Sequence, residues 1–207
     1  MKDLILIGGG GHCKACIDVI ESTGEYRILG ILDKKELIGN KVLSYEIIGT
    51  DADIVQFKNC CFLLTVGQIK DSKIRRRIYR QIQETGSNLA TVISPRAYVA
   101  KSSKIGKGTI VMHDALINAD SVIGENCIIN TKSLIEHESN VGDFCHISTG
   151  AILNGNCIIG EDVFIGSHAT IVHGVKIAAA TTVGAGSLII KSIQESGVYA
   201  GCPAKSI

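Results

Sequence analysis

Residues 129–155 read INTKSLIEHESNVGDFCHISTGAILNG, and an aliphatic residue recurs in them at every sixth position. The same phase continues in both directions, from residue 93 to residue 189. Its members are Ile93, Val99, Ile105, Val111, Ile117, Ile123, Ile129, Ile135, Val141, Ile147, Leu153, Ile159, Ile165, Ile171, Ile177, Val183 and Ile189. A fixed period over about half of a chain indicates an architecture of stacked repeats.

A second column, made of small residues, lies four positions after each aliphatic residue. Its members are Ala97, Ser103, Thr109, Ala115, Ser121, Cys127, Ser133, Ser139, Cys145, Ala151, Cys157, Val163, Ala169, Val175, Thr181 and Ser187. A period of six does not follow the 3.6-residue turn of an α-helix, and the Gly, Asn and β-branched content disfavours helix. Large residues alternating with small ones predict a narrow tube of short strands and turns, with Cys127, Cys145 and Cys157 as core thiols.

This pattern resembles the hexapeptide repeat of left-handed parallel β-helix proteins. In that family three hexads close one triangular coil of eighteen residues, so residues eighteen apart stack at roughly one inter-strand spacing, ~4.8 Å. The resemblance implies a β-helix domain over residues 91–207. The left hand of the helix is also implied by this resemblance alone, since the general rule for crossover connections would favour the right hand.

The first 90 residues show alternating strand and helix patterns instead. DLILIGGGGH, residues 3–12, predicts a buried strand and a glycine turn, followed by a helix over about residues 13–22. YRILGILD predicts a strand ending at Asp33, FLLTVG a strand ending at Gly67, and IRRRIYRQIQETG an amphipathic helix closed by Gly86. Because the segment is too short for a complete dinucleotide fold, we expect a small Rossmann-like domain over residues 1–90 that binds a nucleotide sugar.

The glycine turn is the candidate phosphate site. Gly8, Gly10 and Gly11 let the backbone approach a phosphate at a helix N-terminus, where free N–H groups favour anions. The dinucleotide fingerprint GxGxxG would need glycine at Cys13, so a nucleoside monophosphate or diphosphate sugar fits better than NAD. Asp33 would accept hydrogen bonds from a ribose or a base. A tight turn without a ligand is the alternative.

Charge and composition exclude several kinds of partner. Lysine and arginine number 21 and aspartate and glutamate 20, so we expect no binding to nucleic acid or to a membrane surface. No stretch has the pattern of a signal peptide or a membrane span, which predicts a cytoplasmic protein. The basic residues Lys70, Lys73 and 75–77 are interpreted as a solvated helix face.

The cysteine pattern points to structure rather than to chemistry. Eight cysteines in a cytoplasmic chain are expected to be reduced. Cys13 and Cys16 form a CxxC, but no second half-site for zinc accompanies it. We therefore predict no metal site, and we place both thiols on a helix that packs toward its sheet.

The positions of the histidines are informative. The six are His12, His113, His137, His146, His168 and His173. His137, Gly155 and His173 are eighteen apart, so they are predicted to stack as one column. A neutral imidazole that accepts a proton would then lie beside a main-chain N–H that donates to a developing oxyanion.

The chain as a whole resembles the hexapeptide-repeat sugar acetyltransferases. This family includes sialic acid O-acetyltransferases and the N-acetyltransferases of UDP- or dTDP-linked 4-amino-4,6-dideoxyhexoses. The matching motifs are GGGGH at 8–12, ILD at 31–33, VG at 66–67, NTKSLIEHE at 130–138, His146, LNG at 153–155 and AGCPAK at 200–205. The resemblance implies that His137 is the general base and that Glu138 holds its imidazole. It further implies that His146 positions the acetyl group or the acceptor, and that the Gly155 N–H receives the thioester oxygen.

The same resemblance implies the ligands and the assembly. The cosubstrate would be acetyl-CoA, bound near Gly155, His173, Gly184 and Gly186 between neighbouring subunits of a homotrimer. The residues implied for the nucleotide sugar are Gly8, Gly10, Gly11, His12, Asp33, Gly67 and Asn130. We expect direct transfer of the acetyl group to the 4-amino group of a UDP- or dTDP-linked 4-amino-4,6-dideoxy sugar, in surface glycan (lipopolysaccharide) biosynthesis. No covalent acyl-enzyme is needed, because the thioester is already activated.

Three alternatives remain open at this stage. NTKSLIEH and ISTGAILNG resemble the O-acetyltransferases of sialic acid or CMP-sialic acid comparably well. A zinc carbonic-anhydrase-like β-helix would use His168 and His173 as two of its three ligands. A noncatalytic nucleotide-sugar-binding protein would tolerate replacement of His137 without any measurable change.

Overall fold

The computed structural model describes residues 1–69 and 71–207. The chain divides into two compact units, the first formed by Met1–Gly67 with Lys73–Val92 and the second by Gln68–Ser72 with Ile93–Ile207. The junction before Ile93 lies two residues after the predicted boundary. The grouping of Gln68–Ser72 with the second unit was not predicted, because this short segment carries no hexad.

The first unit is built on one six-stranded sheet. Its strands are β1 (Lys2–Ile7), β2 (Tyr26–Leu32), β3 (Lys41–Val42), β4 (Tyr45–Gly49), β5 (Cys61–Leu64) and β6 (Asn88–Leu89), and its helices are α1 (Gly11–Thr23) and α2 (Lys73–Glu84). The sheet order is β3-β4-β2-β1-β5-β6, and every pair is parallel except the hairpin of β3 and β4. This topology confirms the predicted Rossmann-like fold.

The order of the central strands opens a crevice at one edge of this sheet. The chain leaves β1 toward β2 on one side, and β5 pairs on the other side. Ligands bind at such a switch point, outside the carboxyl ends of the strands. The glycine turn follows β1, Asp33 follows β2 and Thr65 follows β5, so all three meet at this crevice.

The buried face of α1 explains the CxxC motif. Cys13 and Cys16 are both fully buried, together with Ile17, Val19 and Ile20 of the same helix. Burial raises the pKa of Cys13 to about 11 and raises the pKa of Cys16 further. Both thiols are therefore neutral core residues of the helix, as the sequence predicted.

Arg75 in α2 is not part of a solvated face, and that prediction was wrong. Its side chain is buried, and Nη1 donates to the carbonyl oxygens of Leu64 at 3.1 Å and Val66 at 2.6 Å. A buried guanidinium is stabilised by such acceptors, which here belong to the chain leaving β5. Lys73 and Arg77 are exposed, and Lys70 lies outside the described residues.

The second unit is a three-sided prism of two-residue strands. Its first face contains β7 (Val92–Ile93), β10 (Ile110–Val111), β13 (Ile128–Ile129), β16 (His146–Ile147), β19 (Phe164–Ile165), β22 (Thr182–Val183), β24 (Val198–Gly201) and β25 (Ala204–Ser206). Its second face contains β8 (Tyr98–Val99), β11 (Leu116–Ile117), β14 (Leu134–Ile135), β17 (Ile152–Leu153), β20 (Thr170–Ile171) and β23 (Leu188–Ile189). Its third face contains β9 (Lys104–Ile105), β12 (Val122–Ile123), β15 (Asn140–Val141), β18 (Ile158–Ile159) and β21 (Lys176–Ile177).

The strand register follows the eighteen-residue rule. Ile128 pairs in parallel with His146, and His146 pairs with Phe164. From β10 to β23 the second residue of each strand points inward and is buried, and these residues form one core with the small apolar residues of the second column. Ile93 at the start of the prism is exposed. Burial raises the pKa of the Cys145 and Cys157 thiols in this core. The predicted left-handed parallel β-helix is confirmed.

At the corners of the prism, one residue of each hexad has a left-handed backbone conformation. From Gly108 to Gly186 the third residue after each aliphatic residue has a positive φ, for example Asp120 at 59°, Asn126 at 53° and Glu138 at 60°. Asn and Asp tolerate this conformation better than other side chains. Glu138 and His168 are exposed at these corners, whereas Asn126 and Phe144 are buried there.

Candidate active site

The crevice of the first unit holds a cavity of about 610 Å³. The glycine turn, Asp33, Thr65 and Gly67 line it together with the start of the 3₁₀ helix Asp51–Phe57. Lys34 and Lys35 add positive charge to the wall, and Arg77 is paired there with Asp51 at 2.7 Å. A volume of this size with basic groups suits a phosphorylated small molecule.

The glycines of the turn have two different reasons to be glycine. Gly8 has a φ of +103°, and a Cβ built on it would lie 2.5 Å from Val66 Cγ2. A Cβ built on Gly10 or Gly11 would meet nothing within 4 Å. Gly10 is the N-cap of α1, without a side-chain cap and without an acidic residue in the first turn. The open helix N-terminus is thus available to an anion.

Asp33 and His12 are partly committed to the protein itself. Asp33 Oδ2 accepts from the Gly9 N–H at 2.5 Å and Oδ1 accepts from the Lys34 N–H at 2.7 Å. Asp33 therefore fixes the glycine turn while it lines the cavity, and its role toward a ribose or base stays a prediction. The Nε2 atom of His12 lies 3.4 Å from Cys16 Sγ, and the imidazole also lines the cavity.

His137 and Gly155 form a stack at the corner between the second and third faces of the prism. A Cβ built on Gly155 would fall 2.7 Å from both Cε1 and Nε2 of His137, so the imidazole occupies the space that a side chain would need. Gly155 has no positive φ, so the ring is the reason for glycine here. The His137 side chain is 49% exposed, and a substrate can therefore reach it.

Glu138 fixes the chemistry of the His137 ring. Its Oε2 atom lies 3.0 Å from His137 Nδ1. A carboxylate only accepts hydrogen bonds, so Nδ1 carries the proton and Nε2 of the neutral ring keeps a free lone pair. Cε1 and Nε2 are the ring atoms nearest to a Cβ built on Gly155. His173 belongs to the same column, with its ring centroid 6.4 Å from that of His137.

His146 lies on the opposite side of the prism from His137. It is the outward residue of β16 on the first face, whereas His137 lies at the corner between the other two faces. The ring is buried: Nδ1 donates to the Gln68 carbonyl at 2.6 Å and Nε2 accepts from Asn130 Nδ2 at 3.1 Å. Phe164 packs edge-on against it at 5.2 Å. Within one chain, His146 and Asn130 therefore hold the segment Gln68–Ser72 and do not meet His137.

Sequence motifs did not point to Gln68. Its Nε2 atom donates to the Phe144 carbonyl at 2.6 Å, and its own carbonyl accepts from His146. Ser72 Oγ, at the other end of the segment, donates to Asp162 Oδ1. A buried glutamine in a loop carries no signature in a single sequence.

Family models match both parts of the chain. The model of the PglD N-terminal domain matches residues 3–82, and the model of the bacterial transferase hexapeptide matches residues 138–173 and 156–191. UDP-N-acetylbacillosamine N-acetyltransferase of Bacillus subtilis is 32% identical over 118 residues, which are 54% of this chain and 52% of that protein. The match thus spans about half the length of this curated relative.

Solved structures match the chain from end to end. The acetyltransferase domain of PglB from Neisseria gonorrhoeae is 32% identical, with 100% of each chain covered and a TM-score of 0.93. The same domain with acetyl coenzyme A superposes with a TM-score of 0.92 over 100% of this chain and 99% of that one. PerB from Caulobacter crescentus, in complex with CoA and GDP-perosamine, is 31% identical, with 100% and 98% covered and a TM-score of 0.92.

The chain belongs to the hexapeptide-repeat sugar acetyltransferases. The predicted family and the predicted class of enzyme, an acetyltransferase, are confirmed. The predicted cosubstrate, acetyl-CoA, is bound in one relative, and CoA with a nucleotide sugar in another. Among the described residues, no helix of this acetyltransferase is long and apolar enough to cross a membrane.

Two glycines that the resemblance assigned to acetyl-CoA have structural partners in this acetyltransferase. The Gly184 N–H donates to the Tyr199 carbonyl at 2.8 Å, and a Cβ built on Gly184 would lie 3.0 Å from Ala200 Cβ. The Gly186 N–H donates to the Ser167 carbonyl at 2.8 Å, and its φ of +65° suits glycine. Both N–H groups are therefore used by the fold, and a contact with acetyl-CoA stays a prediction.

The remaining histidines lie at separate corners of the prism. His168 lies at the corner after β19, on a different edge of the prism from His173, which follows β20. Within the two stretches 1–69 and 71–207, no three His, Cys, Asp or Glu side chains could hold a metal ion together. His113 Nδ1 lies 2.6 Å from Ser94 Oγ at an early corner.

Proposed function

We propose that this enzyme transfers the acetyl group of acetyl-CoA to the 4-amino group of a UDP- or dTDP-linked 4-amino-4,6-dideoxy sugar, as a cytoplasmic step of surface glycan biosynthesis. The observation that carries the chemistry is the stack of His137 on Gly155. It joins an exposed base, whose tautomer follows from its contact with Glu138, to the main chain of the buried Gly155 beneath it. The relatives that share this fold over its full length support the donor and the acceptor class.

The reaction follows from the positions of these groups. The lone pair of the sugar amine attacks the thioester carbonyl carbon, and the carbonyl oxygen gains negative charge that the Gly155 N–H stabilises. His137 Nε2 takes the proton that the amine sheds, and Glu138 stabilises the imidazolium through Nδ1. The C–S bond then breaks, and the CoA thiolate takes a proton from the imidazolium. General-base catalysis of this kind contributes about 10²–10⁴-fold.

The cavity of the first unit would hold the nucleotide sugar. The phosphates would lie at the N-terminus of α1 beside Gly10 and Gly11, with Lys34 and Lys35 neutralising charge. Asp33, His12 and Gly67 would contact the nucleoside or the sugar from the same wall.

We also propose a homotrimer with the active sites between subunits. The second face of the prism presents outward apolar side chains, Leu116, Leu134, Ile152 and Leu188, all half-buried within the single chain. This face borders the corner that carries His137, so a neighbouring subunit on it would also cover the base. His146 and Asn130 could then join the same site only from another subunit. Light scattering on Leu134→Glu is expected to show monomers, and an unchanged mass would contradict this assembly.

Enzyme assays with several acceptors test the activity. Thiol release from acetyl-CoA is followed with UDP-, dTDP- and GDP-linked 4-amino sugars, and mass spectrometry of the product gives the position of the acetyl group. Sialic acid and CMP-sialic acid are included, because an O-acetylated product would favour the alternative acceptor class. Inactivity of folded protein toward every acceptor would contradict the proposal and favour a noncatalytic binding protein.

A further inference from the structure

The residue before Gly155 has its side chain turned away from the Gly155 N–H. Asn154 follows β17, and both its backbone N–H and its Nδ2 donate to the Ile171 carbonyl, at 3.0 Å and 2.8 Å. A carbonyl oxygen only accepts, so the amide nitrogen of Asn154 must face Ile171. The side chain is thus held toward the next coil of the prism.

Equivalent side chains on earlier coils behave differently. Asn118 Oδ1 accepts from the N–H of the following Ala119 at 2.8 Å, and Asn130 Oδ1 accepts from Thr131 at 2.8 Å. Glu136, one coil before Asn154, accepts from the His137 N–H at 3.3 Å. Asparagine readily bonds nearby backbone in this way. On the three coils where Asn118, Asn130 and Glu136 occupy this position, the side chain therefore caps the following N–H.

At Gly155 this cap is missing. Within residues 1–69 and 71–207 no atom accepts a hydrogen bond from the Gly155 N–H, although its carbonyl accepts from Gly174 at 3.0 Å. A Cβ built on the same residue would lie 2.7 Å from His137 Nε2, so the ring packs directly on Gly155. A donor that is already capped would have to give up one hydrogen bond before it could receive another acceptor.

We infer that Asn154 is a positioning residue of the acetyl transfer. By bonding the Ile171 carbonyl, it keeps the Gly155 N–H unoccupied for the thioester oxygen. This inference rests on the proposed function, since it assigns the free N–H to the oxygen of the reacting thioester. It adds a residue that neither touches the substrate nor belongs to the stack.

Asn154→Asp is the decisive variant. A carboxylate cannot donate to the Ile171 carbonyl, so it is expected to turn to the nearest donor and cap the Gly155 N–H, as Asn118 caps Ala119. The kcat should fall by about 10²–10³-fold, the usual effect of losing one oxyanion donor. The KM for the nucleotide sugar should not change. Asn154→Ala removes the bond to Ile171 without adding a cap, so its loss in kcat should stay within about 10-fold.

Asn156→Asp is the matched control. Asn156 is exposed with a φ of 58°, a conformation that Asp tolerates as well as Asn, so the variant adds the same charge two residues away. It is expected to retain the wild-type kcat. Equal losses in Asn154→Asp and Asn154→Ala would overturn the inference, because a merely structural contact predicts that result.

A binding measurement keeps the test independent of turnover and of the folded fraction. CoA and the ketone analogue of acetyl-CoA with CH₂ in place of sulfur are titrated by calorimetry into wild type and Asn154→Asp. The variant should lose affinity for the ketone by about 10-fold or more while its Kd for CoA stays the same. If the wild type is active and the ratio of the two Kd values is the same in Asn154→Asp, the inference is overturned while the proposed function stands. A wild type that acetylates none of the amino sugars would instead contradict the proposed function.

Discussion

Two corners of the prism carry the same local arrangement, a histidine ring lying over a glycine eighteen residues away. In one corner His137 covers Gly155, and in another His168 covers Gly150, where a built Cβ would lie 2.6 Å from His168 Cε1. The two stacks differ in what their polar groups are bonded to. The Gly150 N–H donates to the Thr131 carbonyl at 3.0 Å, whereas the Gly155 N–H is free within the described part of the chain.

The rings differ in the same way. His137 Nδ1 is bonded to Glu138, while the His168 ring makes no hydrogen bond to any described residue. Gly150 also needs to be glycine for its φ of +66°, a condition that does not apply to Gly155. The coil repeat thus produces the stacked geometry by itself, and the base oriented by Glu138 distinguishes the first stack from the second. The N–H groups differ because Gly155 is the second residue after its aliphatic residue and Gly150 the third, a position whose N–H donates to the preceding coil.

Replacing the two histidines gives the largest expected contrast. His137→Ala should lower kcat by about 10²–10⁴-fold, because the amine proton loses its acceptor. His168→Ala should keep the wild-type kcat. Both are measured by thiol release from acetyl-CoA at saturating sugar, with circular dichroism as a check on folding. Similar rates for His137→Ala and wild type would remove the base from the mechanism.

Replacing the two glycines should separate activity from stability. In Gly155→Ala the new Cβ displaces the His137 ring, and a misplacement of about 1 Å costs roughly 10²-fold in kcat. In Gly150→Ala the left-handed backbone costs about 1–2 kcal/mol, which lowers Tm by about 2–8 °C without lowering kcat. Thermal unfolding and kinetics of both variants are compared. A loss of kcat in Gly150→Ala together with a wild-type kcat in Gly155→Ala would contradict the assignment of the active site to the His137–Gly155 stack.

Removing the charge beside the base tests the difference between the rings. Glu138→Gln keeps the shape and the backbone preference of the residue but not the carboxylate, so kcat should fall by about 10–100-fold, as for loss of a charge-assisted hydrogen bond. Nitrogen NMR of labelled histidine should show that the Nδ1–H tautomer no longer dominates. A wild-type rate with a changed tautomer would argue against Nε2 as the base.

In the first unit, Gly8 is required by its backbone conformation and Gly10 is expected to be required by the ligand. Replacing these two glycines gives the smallest expected effect. Gly10→Ala has room for its methyl group, so stability should be kept, but the methyl obstructs the helix N-terminus. The KM for the nucleotide sugar should rise about 10-fold, equivalent to one weakened hydrogen bond to a phosphate. Gly8→Ala should instead lower Tm, because of its φ and the contact with Val66. An unchanged KM in Gly10→Ala would place the phosphates elsewhere.

The sequence predicted the second unit almost to the residue, because a period of six specifies every strand and corner at once. It predicted β1, β2, β5 and both α-helices of the first unit with end errors of up to three residues, since these segments carry local signals, but it did not predict β3, β4 and β6, of which β3 and β6 have only two residues each. The stack of residues 137, 155 and 173 followed from counting alone.

The failures have equally physical reasons. His146 is a separate case: it is nine residues from His137, which is half of one coil, so the stacking rule places it on the far side of the prism within one chain, and its role toward the acetyl group or the acceptor stays a prediction. The prediction for Arg75 was wrong because the sequence of a basic segment does not show that two buried carbonyl oxygens will accept hydrogen bonds from one of its residues. Gln68 contacts Phe144 and His146, which are 76 and 78 residues away, and no local pattern encodes such pairs.

The eighteen-residue coil also sets how the molecule can change in length. Deleting one hexad between His137 and Gly155 would leave both buried columns uninterrupted, yet it would carry every later residue to the next edge of the prism. The prism would still fold, but His137 would no longer stack on Gly155. Insertions or deletions that preserve activity in this region must therefore come in whole coils of eighteen residues. Only changes in length after the last residue of the active site are free of this constraint.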